Sequence, residues 1–322
     1  MKWLSNDTQV SRREALTLAL AAAFSASPAA RLLASEQPGL ITRPIPASGE
    51  RLPVIGIGCN SFTEAKRDDL RELLRRMVEL GAAVVDTAPV YGESEQVIGE
   101  LVAELGIRDR IFLASKLTAG PMHVPPPNID PGVYGQQSLE RSLQRLQTDH
   151  LDLLQVHNLQ GVEQLWPQLA QWKRSKKIRY IGITTATENQ HAQMIALMRK
   201  YPLDFVQVDY SIANRDAAMS VFPVAIERKI AVITNVPFGG RAGANLTMSQ
   251  DRPLPPFAAE LGAADWPQLL LKYVVSHPAV TCTIAGSTRL EHLEDNQGAG
   301  HGRLPDAAGR RRIEQYWDHH PA

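Results

Sequence analysis

A closed (β/α)8 barrel preceded by a short N-terminal β-hairpin is the fold this sequence predicts, and three observations point to it. Eight short apolar segments alternate with eight helical patterns from Val54 onward. Those segments are apolar on both faces, as parallel strands covered by helices must be. No dip in composition marks a linker, so the pairs close into a single domain rather than dividing into two. An open dinucleotide-binding sheet is further disfavoured because "GIGCNS" after the first strand has two glycines of the GxGxxG fingerprint and lacks the third.

The elements follow in order. "ITRPIPASGERLPVIGIG" reads as a hairpin turning at Ser48–Gly49 and leading into the first barrel strand, Val54–Gly58. Thr63 is placed as an N-cap, and Leu70, Leu73, Leu74, Met77 and Val78 form the i, i+3, i+4, i+7, i+8 stripe of a helix buried on one face, ended by Gly81. Strand Ala83–Thr87 precedes a helix after Ser94 with Val97, Ile98, Leu101 and Leu105 inward. Strand Ile111–Ser115 precedes a proline-rich loop and a helix around Gln136–Leu146, with Leu139, Ser142, Leu143 and Leu146 on one side. The remaining pairs are Leu151–Val156 with Glu163–Lys173, Ile178–Ile183 with Glu188–Lys200, and Phe205–Asp209 with Asp216–Arg228. Ala231–Asn235 then leads through a long loop to Pro267–Ser276, and Val280–Ala285 to a helix beginning near Leu290. "LPDAAGRRRIEQYWDHH" reads as a terminal helix, with His319–His320 as a frayed tail, and Trp166 and Trp172 read as packing residues.

The composition is that of an ordinary globular protein. Of 322 residues, 44% are hydrophobic and 21% charged, with net charge zero. A neutral balance without a basic stripe gives no reason to expect nucleic-acid binding. No apolar run approaches the roughly 20 residues of a membrane span. Neither Cys59 nor Cys282 belongs to a metal-ligand motif, so no metal is expected. They sit on the first and last strands, neighbours in a closed barrel, where a disulfide and two buried thiols are both open, the thiols being favoured.

Residues 1–34 read differently. Arg12 and Arg13 directly precede the apolar run Leu16–Phe24, and small residues and a polar exit follow, the layout of a secretory signal that resembles the twin-arginine type. The alternative is an amphipathic first helix. Cleavage near Ala34 leaves 322 − 34 = 288 residues, 35–322, enough for one barrel of ~250 residues. The twin-arginine export machinery is then a partner, and the mature protein, without a stable membrane span, is periplasmic or exported; if the signal goes unused it is cytoplasmic.

In such a barrel the site lies at the C-terminal ends of the strands. Asp86 ends the second strand and Tyr91 follows in its loop; Lys116 ends the third and His157 the fourth. A free phenol has pKa ~10, too high for efficient proton exchange at neutral pH. An ammonium beside it favours the ionised form, and a carboxylate keeps that buried ammonium charged. A histidine opposite can hydrogen-bond and orient a substrate oxygen. Such a group hands a proton to a carbonyl oxygen, and the carbon then needs a hydride, which implies a nicotinamide cofactor.

Over residues 41–300 the chain resembles the aldo-keto reductases, through "DTAPVYGESEQVIG", "SKL", "SLERSLQRLQTDHLDLLQVHN" and "IAGSTRLEHLEDNQGA". The resemblance implies a catalytic tetrad of Asp86, Tyr91, Lys116 and His157, with Tyr91 the general acid. It implies that Gln207 holds the nicotinamide carboxamide and that Ser287 and Asn296 match the family; Ser287–Thr288, at a helix start, could simply be an N-cap, which would also suit a phosphate there. Thr184 and Thr185 stand where the family has Ser-Asn, and Asn235 where an aromatic ring stacks on the nicotinamide, a loss of about 1 kcal/mol. His292 replaces an arginine, Asp295 a glutamate and Gly286 a lysine of the 2′-phosphate site, leaving Arg289 to contact that phosphate. NADP(H) is favoured, with NAD(H) the alternative, for interconversion of a small-molecule carbonyl and its alcohol. A second reading keeps the barrel as a cofactor-binding sensor with little turnover. The pocket walls are expected from Leu117–Gly132, Asn158–Val162 and Phe238–Phe257.

Overall fold

The computed structural model describes residues 39–118, 130–240 and 243–320. The signal expected at 1–34 and most of the expected pocket wall at Leu117–Gly132 lie outside them. β1 (Thr42–Pro44) and β2 (Arg51–Pro53) form the antiparallel hairpin, Thr42 opposite Pro53. Eight strands then close a parallel barrel: β3 (Ile55–Gly58), β4 (Val84–Asp86), β5 (Phe112–Leu117), β6 (Leu151–His157), β7 (Ile178–Thr184), β8 (Phe205–Asp209), β9 (Ala231–Asn235) and β10 (Val280–Gly286), with β10 paired to both β9 and β3. The (β/α)8 fold predicted from the alternation is the fold observed.

The hairpin has a mechanical role. Ile45 and Leu52 from it pack with Val84, Phe112, Leu153, Phe205, Ile233 and Cys282 into the barrel interior. The Tyr180 hydroxyl lies 2.7 Å from both Ser48 Oγ and Glu50 Oε2, and burial, chiefly, pushes its pKa up to about 12. The end where the strands begin is thereby plugged, which leaves the end where they finish for chemistry. Cys282 faces this interior, whereas Cys59 packs in the outer layer, so the two thiols are free and buried on different sides of the sheet.

Around the barrel run α1 (Arg67–Glu79), α2 (Ser94–Leu105), α3 (Pro131–Arg145), α4 (Val162–Arg174), α5 (His191–Lys200), α6 (Asp216–Met219), α7 (Val221–Arg228), α8 (Ala244–Ser249), α9 (Trp266–Ser276), α10 (Leu290–Gly298) and α11 (Ala307–His319). α1 buries the five residues of its predicted stripe and ends before Gly81, which takes φ 81°. Two local expectations are corrected. Thr63 makes no side-chain cap; a 3-10 turn at Glu64–Lys66 intervenes, and the Glu64 N–H donates to Glu93 Oε2 at 2.9 Å, a tertiary acceptor replacing the local one. The single helix expected over Asp216–Arg228 is two, broken at Ser220, because the Pro223 ring clashes with the carbonyl four residues back, at Met219. His320 is not frayed but stacks on Tyr316 at 4.0 Å. Trp172 is buried and donates to Gln136, and Trp166 packs on Tyr201, as expected of packing residues. Among the described residues no helix is long and apolar enough to cross a membrane.

A clamp holds the far side of the barrel. Buried His191, at the start of α5, reaches Asp209 at the end of β8 (2.9 Å) and Asp216 at the start of α6 (2.8 Å). Burial alone would lower its pKa, but the two carboxylates outweigh it and raise the pKa above 6.5. Because the folded value exceeds the unfolded one, the stabilisation is full below the unfolded value and is lost as pH rises through the folded value. Thermal stability compared between the native chain and His191→Gln across pH 5 to 9 should show a gap that is widest at the acid end and closes at alkaline pH.

Candidate active site

β4 ends in Asp86, level with Gly58 on β3 and Ala114 on β5. Lys116, two residues beyond Ala114, therefore shares its inward face. Both are almost fully buried, 2% and 1% exposed, and Lys116 Nζ lies 2.6 Å from Asp86 Oδ2. A second ammonium proton goes to the Thr87 carbonyl at 2.9 Å. Desolvation pushes the Lys116 pKa down, but Asp86 first and Tyr91 next outweigh it, so the ammonium stays charged.

Tyr91 sits in the turn after β4, where its own N–H donates to the Ala88 carbonyl and its carbonyl accepts from Ser94 N, both at 3.1 Å. The turn is pinned from below: Ser94 Oγ lies 2.8 Å from Thr87 Oγ1 and donates to the Cys59 carbonyl at 2.7 Å. Lys116 Nζ stands 5.0 Å from the centre of the half-buried Tyr91 ring. His157, the last residue of β6, meets that ring edge-on at 6.0 Å and 84°. The four residues predicted at the rim therefore converge. Directly after His157, Asn158 and Leu159 take φ 52° and 59°, and directly after Asn235, Val236 takes φ 46°. Left-handed backbone at a β-branched residue is uncommon and gathers at functional sites.

Beneath the tetrad lies an amide layer. Gln207 on β8 donates to Asp86 Oδ1 at 3.1 Å and accepts from Thr184 Oγ1 at 2.7 Å. Gln155 on β6 donates to the same Asp86 oxygen at 3.2 Å. Sequence reading missed Gln155, although an amide two residues before His157 in an apolar strand must share its face. Asn235 Nδ2 donates to the Thr185 carbonyl at 2.9 Å, while its Oδ1 is buried with no hydrogen-bond partner among the described residues. Thr185 Oγ1 turns away, toward Gln190.

The stretch Gly286–Asn296 crosses the rim between β10 and α10. Gly286 is exposed, and a Cβ there would stand in ordinary contact with the Gly58 carbonyl at 3.6 Å and Asn60 Oδ1 at 4.0 Å. Ser287 Oγ accepts from Arg289 N at 3.1 Å, and α10 has no side-chain cap. Lys66, also missed, arrives from the turn before α1 and donates to Thr288 Oγ1 at 3.0 Å; nothing local in sequence links residues 222 apart. Arg289 pairs with Glu291, and His292 is exposed. Asp295 is turned to α9, accepting from Gln268 at 2.7 Å, with its pKa raised first by burial and then by Asp265. Asn296 is buried. Among the described residues no cluster of histidine, cysteine and carboxylates is placed to hold a metal.

Comparison with known proteins agrees with this fold. The model of the aldo/keto reductase family matches residues 54–314. Protein tas of Escherichia coli is 26% identical over 81% of this chain and 93% of its own length, and the aldo-keto reductase YhdN of Bacillus subtilis is 31% identical over half of each chain. Among solved structures, an aldo/keto reductase from Klebsiella pneumoniae in complex with NADP and acetate superposes with TM-score 0.69 at 24% identity, covering 83% of this chain and 92% of that one. The holo form of an aldo-keto reductase from Bacillus halodurans gives TM-score 0.69 at 23% identity over 86% and 96%. By its barrel and by the family match over 54–314, this chain belongs to the aldo/keto reductase family.

Proposed function

We propose that the protein is an NADP(H)-dependent oxidoreductase interconverting an aldehyde or ketone with its alcohol. The observation that carries this reading is the position of Lys116 Nζ, 2.6 Å from Asp86 Oδ2 and 5.0 Å from the Tyr91 ring centre, at the open end of a barrel. The bound nicotinamide would supply the hydride to the carbonyl carbon. Tyr91 gives its phenolic proton to the developing alkoxide oxygen and takes it back in the oxidative direction. Lys116 stabilises the phenolate left behind, and Asp86 keeps Lys116 charged and in place. His157, edge-on to Tyr91, orients the substrate oxygen between the two rings.

The residues present fit such a cofactor. Asn235 Oδ1, buried and without a hydrogen-bond partner among the described residues, offers an acceptor to an amide donor at the rim. The start of α10, which has no side-chain cap and has Lys66 and Arg289 beside it, suits a phosphate. Gln207, Ser287 and Asn296 complete the set. The relatives solved with NADP and NADPH support that cofactor over NAD(H). The sensor reading keeps one specific support: Asn235 presents an amide where an aromatic face would favour nicotinamide. Residues 1–34, with Arg12 and Arg13, are proposed as an export signal of the twin-arginine type, which carries folded proteins and would let the cofactor travel bound.

Two measurements test the assignment. Tyr91→Phe should lower kcat on a small-aldehyde panel by about 10²–10⁴-fold while the dissociation constant for NADPH, read by fluorescence titration, stays unchanged. Tight NADPH binding by the native protein without turnover would favour the sensor instead. Arg289→Ala should weaken NADPH binding by roughly ten- to a hundredfold, the range of a charge-assisted hydrogen bond, and leave NADH binding unaffected.

A further inference from the structure

We propose that Gln155 is a positioning residue for the tetrad, its amide holding the Asp86 carboxylate in the orientation that faces Lys116. The inference rests on the reading that turnover runs through Asp86, Lys116 and Tyr91. Three observations support it. Gln155 is fully buried, and its Nε2 lies 3.2 Å from Asp86 Oδ1, the oxygen that Lys116 does not use. Gln207 donates to that same oxygen at 3.1 Å, so one carboxylate oxygen is held by two amides and the other by the ammonium. Third, β7 leaves room here: Gly182 is the register partner of Gln155, and a Cβ there would stand 3.0 Å from Gln155 Cγ as well as 3.2 Å from Phe205 Cβ and the Phe205 carbonyl.

With both oxygens occupied, rotation of the carboxylate breaks contacts on either side at once. A proton arriving on Oδ1 would meet two N–H groups instead of a vacant lone pair. The other titratable groups gathered at this site are Lys116 on β5, Tyr91 in the turn after β4, His157 at the end of β6, Cys59 beyond β3 and Cys282 on β10, both thiols being pushed up first by burial. None of these replaces a neutral donor. A carboxylate that loses such a donor takes up its proton more readily, and Lys116 then loses its counter-charge.

Gln155→Met keeps the length and removes the donor; Gly182→Ala keeps the donor and pushes it aside. Each should lower kcat about tenfold with KM and the NADPH dissociation constant within twofold, and should move the acid limb of the kcat profile up by about one pH unit. The ammonium resonance of Lys116 in ¹⁵N-lysine-labelled protein, recorded without substrate, should shift or broaden in Gln155→Met. Native kcat, pH profile and resonance in that variant overturn the proposal, as does a lowered melting temperature with all three unmoved. If the native chain turns over no carbonyl compound, the proposed function has failed, and the Lys116 resonance alone then decides the role of Gln155.

Discussion

The buried pair of Asp86 and Lys116 is the constraint on which the rest of the site depends. Withdrawing two charges from water costs several kcal/mol per ion, and mutual attraction offsets this only when the remaining protons and lone pairs are also bonded. Here they are. The ammonium donates to a carboxylate and to the Thr87 carbonyl and stands 5.0 Å from the centre of the Tyr91 ring, and the carboxylate takes the ammonium on one oxygen and two amides on the other. A half-satisfied version would favour a neutral lysine, and with it a phenol with no cation to stabilise its charge. On the proposed mechanism, the polar layer beneath these residues is thus a condition of the chemistry and not a decoration of the core.

The barrel makes this layer possible by treating its two ends differently. At the start of the strands the hairpin inserts Ile45 and Leu52 and closes the interior with apolar contact. At the finish, the same alternation that sends Val84, Phe112, Leu153 and Phe205 inward sends Asp86, Ala114, Lys116, Gln155 and Gln207 inward one or more steps later. Register then sets which polar groups meet: Lys116 is level with Gln155, Gln155 with Gly182, and Thr184 with Gln207. A one-residue slip of β6 would turn Gln155 and His157 out of the barrel together.

Much of this was legible in the sequence, for reasons that can be stated residue by residue. Apolar runs separated by amphipathic stripes made the eight pairs readable, and ionisable residues at the ends of such runs could only gather at one rim. Gln155 escaped because an uncharged amide does not announce a site, even though its spacing from His157 placed it there. Lys66 and the Glu93 carboxylate that replaces the Thr63 cap escaped because their partners are distant in sequence and close only in the fold. The break at Ser220 was readable in principle, since Pro223 forbids an unbroken helix, but the apolar stripe hid it. Asp295 shows the converse limit: a position aligned with a family contact is turned to Gln268 by the packing of α9 against α10.

The site also divides into two electrostatic regimes, and the division follows from burial. Asp86 and Lys116 are shielded from solvent, so dissolved salt hardly weakens their attraction. Lys66, Thr288 and Arg289 stand at an exposed rim, where ions within a Debye length of about 8 Å compete for any phosphate. On the proposed function, cofactor capture and proton exchange would therefore answer to different conditions in one molecule. The first would be tuned by the ionic surroundings, while the second would be insulated from them by the same low-dielectric wall that makes the buried pair costly to assemble.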